Sequence, residues 1–269
     1  MHKASLRLIT ICYVLFAGIS ISSAYAADWE ESAKLSTIFK NSGMNGTFIL
    51  YDVTSKKYIG HNKNRAESRF VPASTFKIPN SLIGLSVGAV KGVDDIIPYR
   101  GDSKPFIKAW AKDMGLKEAI VLSNVPIYQE LARHIGLERM RDGIEHLDYG
   151  NKQIGTTVDT FWLTGPLKIS AIEQTIFLAR LAQGTLPFPQ ENQSSVREIT
   201  LLERGTSWEL HGKTGWENAP GKGVGWWVGW VHKNNRTYAF ALNIDIEKES
   251  DASKRIELGK ACLKALELL

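Results

Sequence analysis

A serine and a lysine three residues apart, in Pro72-Ala73-Ser74-Thr75-Phe76-Lys77, are the first candidates for chemistry in this chain. Residues three apart on a helix share a face. A helix starting at Ser74 puts the hydroxyl at its positive end, and Lys77 reaches it from one turn on. A serine oxygen needs a base before it can attack, and a lysine serves as one only when neutral. Neutrality requires burial or a cationic neighbour. Val71, Phe76 and Ile78 could supply the apolar wall. On its own, Ser-x-x-Lys more often marks an N-cap serine and a solvated lysine.

The second candidate is Lys213-Thr214-Gly215. It falls on or beside a strand edge, between Trp208-Glu209-Leu210 and an apolar run that starts at Val224. A lysine there offers positive charge to a substrate carboxylate, and a glycine lets backbone and ligand approach closely. The bland alternative is a hairpin turn that contains a lysine. A phosphate-binding loop is excluded, because Ser207 stands where that motif needs glycine. Ser123-Asn124-Val125 lies between the two motifs, followed by Tyr149-Gly150-Asn151 and Phe161-Trp162-Leu163. The six histidines form neither H-x-H-x-D nor H-E-x-x-H, which argues against a zinc hydrolase and leaves no metal site expected.

Ser-x-x-Lys followed far downstream by Lys-Thr-Gly resembles the penicillin-binding proteins and serine β-lactamases. The middle motif is Ser-Asp-Asn in class A and Ser-x-Asn in the transpeptidases. Here its third position is Val125, which is similar to class D, as are the Tyr-Gly-Asn and Phe161-Trp162 segments. The resemblance covers essentially the whole chain after its first 26 residues. It implies a hydrolase of β-lactam antibiotics with Ser74 as nucleophile. Lys77 would be carboxylated on its amine by carbon dioxide or bicarbonate and act as general base in acylation and deacylation. Trp162 would donate its indole N–H to the new charge, and Val125 would keep the pocket dry. Ser123 would hand a proton to the leaving nitrogen. Lys213, Thr214 and Arg255 would hold the substrate carboxylate, with backbone N–H groups of Ser74 and Trp216 forming the oxyanion hole beside Gly215. Tyr149 would shape the substrate pocket. No counterpart of the class A deacylating glutamate stands near Trp162; Glu173 falls in a helix further on. The β-lactam sensor domains of membrane signal transducers share these motifs and stay acylated, but they are tethered to spanning helices. Val125 weighs against a cell-wall peptidase. In the family, the loop here running from Trp216 to Gly223 influences which β-lactams are accepted.

The elements that must position these residues are legible in the periodicities. About Asp28 to Ser42 reads as a helix stopped by Gly43. Thr47–Val53 and Tyr58–Gly60 read as a hairpin. Ser74 to about Gly165 reads as helical, with a helical pattern over Val125–Arg141, and Leu167–Gln183 gives a further long helix. Val224–Val231 is nearly continuously apolar, as expected of a central strand. Asn234-Asn235 turns it back into Tyr238–Ile244, and Lys254–Leu269 closes the chain as an amphipathic helix. Strands early and late with helices between predict an α+β fold. Its antiparallel sheet would be built from both chain ends and flanked by helices, with an inserted all-helical subdomain over about 76–165. The junction is where a ligand cleft is expected.

The chain opens with Lys3 and Arg7, an apolar stretch from Leu8 to about Ile21, and Ala24-Tyr25-Ala26. That is a cleavable secretory signal over residues 1–26, too short to span a membrane. Ile11 before Cys12 lacks the small side chain of a lipoprotein signal. The mature domain, 27–269, is expected in the periplasm, soluble, as a monomer or homodimer. Its single cysteine, Cys262, allows no intrachain disulfide, so the core must supply stability. Losing Lys3 and Arg7 takes the formal charge from +5 to +3. That mild excess fits a small anionic substrate and provides no nucleic-acid footprint.

Overall fold

A computed structural model of the chain describes residues 28–217 and 223–269. The expected export signal, residues 1–26, and residues 218–222 of the loop after Lys213-Thr214-Gly215 lie outside the described residues.

The first element is a short strand, β1 (Trp29–Glu31), followed by α1 (Ala33–Ser42). Residues 29–31 are therefore strand, where the sequence suggested helix. The helix waits for Ser32, whose side chain accepts from the Leu35 N–H, and it ends at Gly43 with φ 67°. The hairpin is β2 (Gly46–Asp52) and β3 (Lys57–His61). Next come α2 (Lys63–Glu67), β4 (Arg69–Phe70), a 3₁₀ turn at Ala73–Phe76, and α3 (Lys77–Ser86). The central helices are α4 (Leu116–Val121), α5 (Val125–Ile135) and α6 (Leu137–Leu147). The single helical pattern over Val125–Arg141 is thus two helices, broken at Gly136, whose φ of 80° no helix accommodates. Then follow β5 (Ile169–Ser170), α7 (Ala171–Gln183) and α8 (Gln190–Ile199). The helix expected from Leu167 starts only at Ala171, because Ser170 and Glu173 form a capping box there. The chain closes with β6 (Leu201–Arg204), β7 (Trp208–Glu217), β8 (Gly223–Lys233), β9 (Arg236–Ile246) and α9 (Lys254–Ala265).

The main sheet has the order β1-β3-β2-β9-β8-β7-β6. Strands from the two chain ends meet where β2 pairs with β9, Leu50 opposite Phe240. The fold is α+β as expected, with one correction: β1 runs parallel to β3, so the sheet is mixed. Side chains alternate across β8. Trp226, Val228 and Trp230 pack with Phe177 and Leu178 of α7, while Trp227 and Val231 pack with Leu35 of α1 and Leu258 and Cys262 of α9. Coverage on both faces explains why this strand is apolar throughout.

His211 on β7 ties this sheet to α8. It is 6% exposed and stacks on Trp230 at 4.5 Å, and its Nδ1 lies 3.0 Å from Arg197 O. Burial pushes the imidazole down to about 4, against the pull of Arg197 O and Glu209. Burial also lowers His232, edge-on to His211 at 6.0 Å. A histidine whose folded value lies below its unfolded value of about 6.5 resists protonation in the native state. Its contribution is complete above that value and is lost as pH falls toward about 4. Urea denaturation at pH 7 and at pH 4.5 should differ by up to about 3 kcal/mol from this residue. His211→Asn, which keeps a donor for Arg197 O, should flatten that difference; an equally steep pH dependence would assign it elsewhere.

Candidate active site

The turn that carries Ser74 is held from three sides. Ala73 has φ 49°, a left-handed conformation that an alanine adopts only when its surroundings impose it. The Thr75 hydroxyl donates to Pro72 O at 2.7 Å and accepts from Gln174 Nε2 at 2.9 Å, which fastens the turn to α7. Trp226 Nε1 donates to Val71 O at 2.9 Å and fastens it to β8. The 3₁₀ turn then passes directly into α3. Ser74 stays half-buried while Lys77 is fully buried, and Lys77 Nζ lies 2.7 Å from Ser74 Oγ. The structure brings the two side chains together as the spacing suggested, although Ser74 sits in the 3₁₀ turn and α3 begins at Lys77 itself.

Lys77 has an apolar setting. Phe76 stacks on Trp162 at 5.4 Å, and the lysine nitrogen sits 5.4 Å over the Tyr128 ring. The Tyr128 hydroxyl is 2.8 Å from Ser81 Oγ, which donates to Lys77 O at 2.8 Å, so the ring is locked against the helix that carries the lysine. Burial pulls the Lys77 amine well below its ordinary value, and the charge of Lys213 lowers it further. Lys213 is itself brought down to about 7 by burial and then by Arg255. Arg255 is brought down to about 10 by burial. Among the described residues, no carboxylate pairs with any of these three cations. Among the described residues the site is therefore a short row of basic side chains with no carboxylate counter-charge, an arrangement that suits an anion and favours the neutral form of its innermost amine.

Lys213 Nζ donates to Ser123 Oγ and to Thr214 O, both at 3.0 Å. Ser123 stands at φ 53° just before α5, where Asn124 Oδ1 caps the helix by accepting from the Ile127 N–H. Arg255 reaches over from α9, with Nη1 donating to Gly215 O at 2.6 Å and Nε to Ala252 O at 2.5 Å. Gly215 is needed for a closer approach than the sequence suggested. A Cβ there would lie 2.8 Å from Pro72 O and 3.0 Å from Thr75 Cγ2, so the glycine lets β7 touch the nucleophile turn itself. Ser74, Ser123, Val125, Thr214, Gly215, Trp216 and Arg255 all line one cleft of about 460 Å³, opposite Phe106, Ile107, Trp110, Leu163 and Thr164. Tyr149 is the exception. It is fully buried behind the turn, edge-on to Phe76 and Phe177, and its hydroxyl donates to Gln174 at 3.4 Å. Burial raises its phenol above the ordinary value. It supports the site and does not line the cleft, because α7 and Phe76 lie over it.

Sequence reasoning missed Tyr128, Gln174 and the apolar cleft wall. Tyr128 had a signal, since it lies three residues after Val125 on the same helix face. Phe106, Ile107 and Trp110 had none, because their segment shows no helical or strand period. Glu173 is occupied elsewhere: burial alone would raise its carboxyl, but bonds from Arg69 and Ser170 bring it below the ordinary value.

A family model of the penicillin binding protein transpeptidase domain matches residues 28–264. Beta-lactamase OXA-10 of Pseudomonas aeruginosa is 39% identical over 242 residues, covering 88% of this chain and 90% of its own. Beta-lactamase OXA-48 of Klebsiella pneumoniae is 36% identical, covering 93% and 94%. The crystal structure of FUS-1 (OXA-85), a class D β-lactamase from Fusobacterium nucleatum subsp. polymorphum, is 46% identical. It superposes with a TM-score of 0.86 over 89% of this chain and all of that one. The chain belongs to the class D β-lactamases. Among the unaccounted-for polar atoms of this class D enzyme is Trp162 Nε1, which is buried and has no hydrogen-bond partner. A buried indole N–H without an acceptor is costly, and here it belongs to the ring stacked on Phe76, the residue before Lys77.

Proposed function

We propose that this enzyme opens the β-lactam ring of penicillin-type antibiotics through a Ser74 acyl-enzyme and thereby confers resistance on the cell that exports it to the periplasm. The observation that carries the reading is Lys77: fully buried, its amine drawn well below the ordinary value by that burial, and 2.7 Å from Ser74 Oγ. Only a neutral amine attacks carbon dioxide, and the unpartnered Trp162 N–H fits an anion formed there. Carbon dioxide bound on Lys77 would supply a carboxylate as general base for both halves of the reaction.

The chain's own residues divide the remaining work. Ser74 Oγ loses its proton to the Lys77 side chain and attacks the lactam carbonyl carbon. The backbone N–H groups of Ser74 and Trp216 hold the developing oxyanion; losing one such donor typically costs about 2.7–4 kcal/mol. The C–N bond breaks, and Ser123 passes its proton to the ring nitrogen, replenished through the 3.0 Å contact with Lys213. Lys213, Thr214 and the free edge of Arg255 hold the substrate carboxylate, and an arginine fork suits that task. Once the Lys77 side chain has released the first proton to solvent, water attacks the ester carbonyl carbon and gives a proton to that side chain; the C–Oγ bond then breaks, and Ser74 Oγ takes the proton back. Val125 keeps other water out.

Turnover of a chromogenic cephalosporin by the purified protein tests this directly. Many turnovers per enzyme are expected, and bicarbonate should restore activity lost after incubation at low pH, where Lys77 protonates. A single stoichiometric burst followed by silence would instead mark a β-lactam sensor. Turnover confined to cell-wall peptides would mark a peptidase.

A further inference from the structure

Trp162 enters the pocket on a segment with its own anchor. Thr160 O accepts from the N–H groups of Leu163 at 2.8 Å and Thr164 at 3.2 Å, so residues 160–164 form a short helical turn. The residue before that turn, Asp159, is bonded twice to α5. Arg133 Nη1 donates to Asp159 Oδ2 at 2.6 Å, and Gln129 Nε2 donates to Asp159 O at 3.0 Å. Arg133 is itself pre-set: its Nε and Nη2 both donate to Glu130 Oε2, at 2.9 and 2.7 Å. Glu130 is 7% exposed and also meets Arg100 at 3.3 Å and His134 at 3.1 Å.

We infer that this clasp is a positioning device for catalysis: by fixing Asp159 to α5 it holds the Trp162 turn against Val125, the first residue of the same helix. The inference rests on the reading of Lys77 given above. Val125 and Leu163 line the cleft, and Trp162 backs it beside Phe76. The walls carrying them are thus joined from outside, away from the reacting atoms. No polar contact fixes the indole from within, since its N–H has no partner. Its placement depends on stacking and on where its turn begins, and Asp159 sets that point. An exposed ion pair adds little to stability. This one has its arginine fork fixed by a buried carboxylate and a second bond aimed at the main chain, an arrangement that determines geometry.

Two conservative variants test it. Asp159→Asn keeps the volume and the Gln129 bond to the main chain; Arg133→Lys keeps the charge and loses the fork. Hydrogen exchange of the Trp162 indole N–H should be roughly tenfold faster in both, at the low end of what misplaced supporting groups cost. The bicarbonate concentration for half-maximal Lys77 carboxylation, read by ¹³C NMR with labelled bicarbonate, should rise by about the same factor. Saturating bicarbonate should then return kcat to that of the unmodified enzyme. A clasp that only stabilised the fold would lower Tm and leave the indole exchange and the bicarbonate requirement where they were; either unchanged value, in both variants, overturns the inference. If the unmodified enzyme shows no ¹³C signal on Lys77, the carboxylation reading fails alone, and the indole exchange rate still decides the clasp.

Discussion

Lys77→Ala should acylate slowly and then stay acylated. The variant retains Ser74, the cation row of Lys213 and Arg255, and the cleft, so substrate still binds and the strained ring is still attacked. What it loses is the group proposed to take a proton from Ser74 Oγ and later from water. Positioned general bases contribute roughly 10²–10⁴-fold to a step. Acylation has ring strain to help it, whereas the ester that follows is unstrained, so the loss falls hardest on the second step. Intact-protein mass spectrometry after minutes with a penicillin should show a stoichiometric adduct, with steady-state turnover down by roughly 10³-fold or more. Bicarbonate should rescue nothing, because no amine remains to take it. Burst release of product at the normal rate after acylation would remove Lys77 from deacylation and return that task to another group. Glu173 is the wrong shape for it, held by Arg69 and by its own helix cap.

The motifs were legible for a physical reason. Each is a short run in which residue type and spacing are both constrained, as with a hydroxyl and an amine one turn apart or a glycine after a lysine on a strand. What joins them was less legible. The Thr75–Gln174 bond spans 99 residues of sequence, and the Trp226–Val71 bond spans 155. No local pattern reports such a pairing. The same holds for Tyr149. Its place in Tyr-Gly-Asn suggested the cleft, yet the cavity wall is decided by Phe76 and α7 packing over it.

The fold divides along the same line. β8 and β9 carry long apolar periods and an Asn234-Asn235 turn, both residues at positive φ, so sequence located them. β1 is three residues long, alternates nothing, and exists because Trp29–Glu31 can pair with an edge already made by β3. Tertiary pairing overrode a helical period there. At Gly136 the opposite occurred. One amphipathic stripe continued across a backbone conformation that only the glycine reveals, and two helices resulted.

Gly215→Ala should cost the enzyme most of its turnover while leaving it folded. The added methyl meets Pro72 O at 2.8 Å and Thr75 Cγ2 at 3.0 Å, so part of the obstacle is main chain and cannot rotate aside. The nucleophile turn cannot yield cheaply either, because Thr75, Gln174 and Trp226 hold it. The end of β7 must give, since Glu217, paired with Val224, is the last residue of the strand. That movement carries the Trp216 N–H away from the Ser74 N–H and carries Gly215 O, which accepts from Arg255, away from the carboxylate-binding edge. Two effects follow together: kcat falls by roughly 10²–10³-fold, the loss of one oxyanion donor, and KM rises because the carboxylate hold loosens. Thermal unfolding should move far less than the kinetics, since the clash is relieved at a strand end and not in the core. A soluble, folded Gly215→Ala with near-normal kcat would show that β7 has room the geometry denies it, and that the oxyanion is not held between this strand and the nucleophile turn. If kcat falls with KM unchanged, the Trp216 N–H alone has moved, and Arg255 does not depend on Gly215 for its placement.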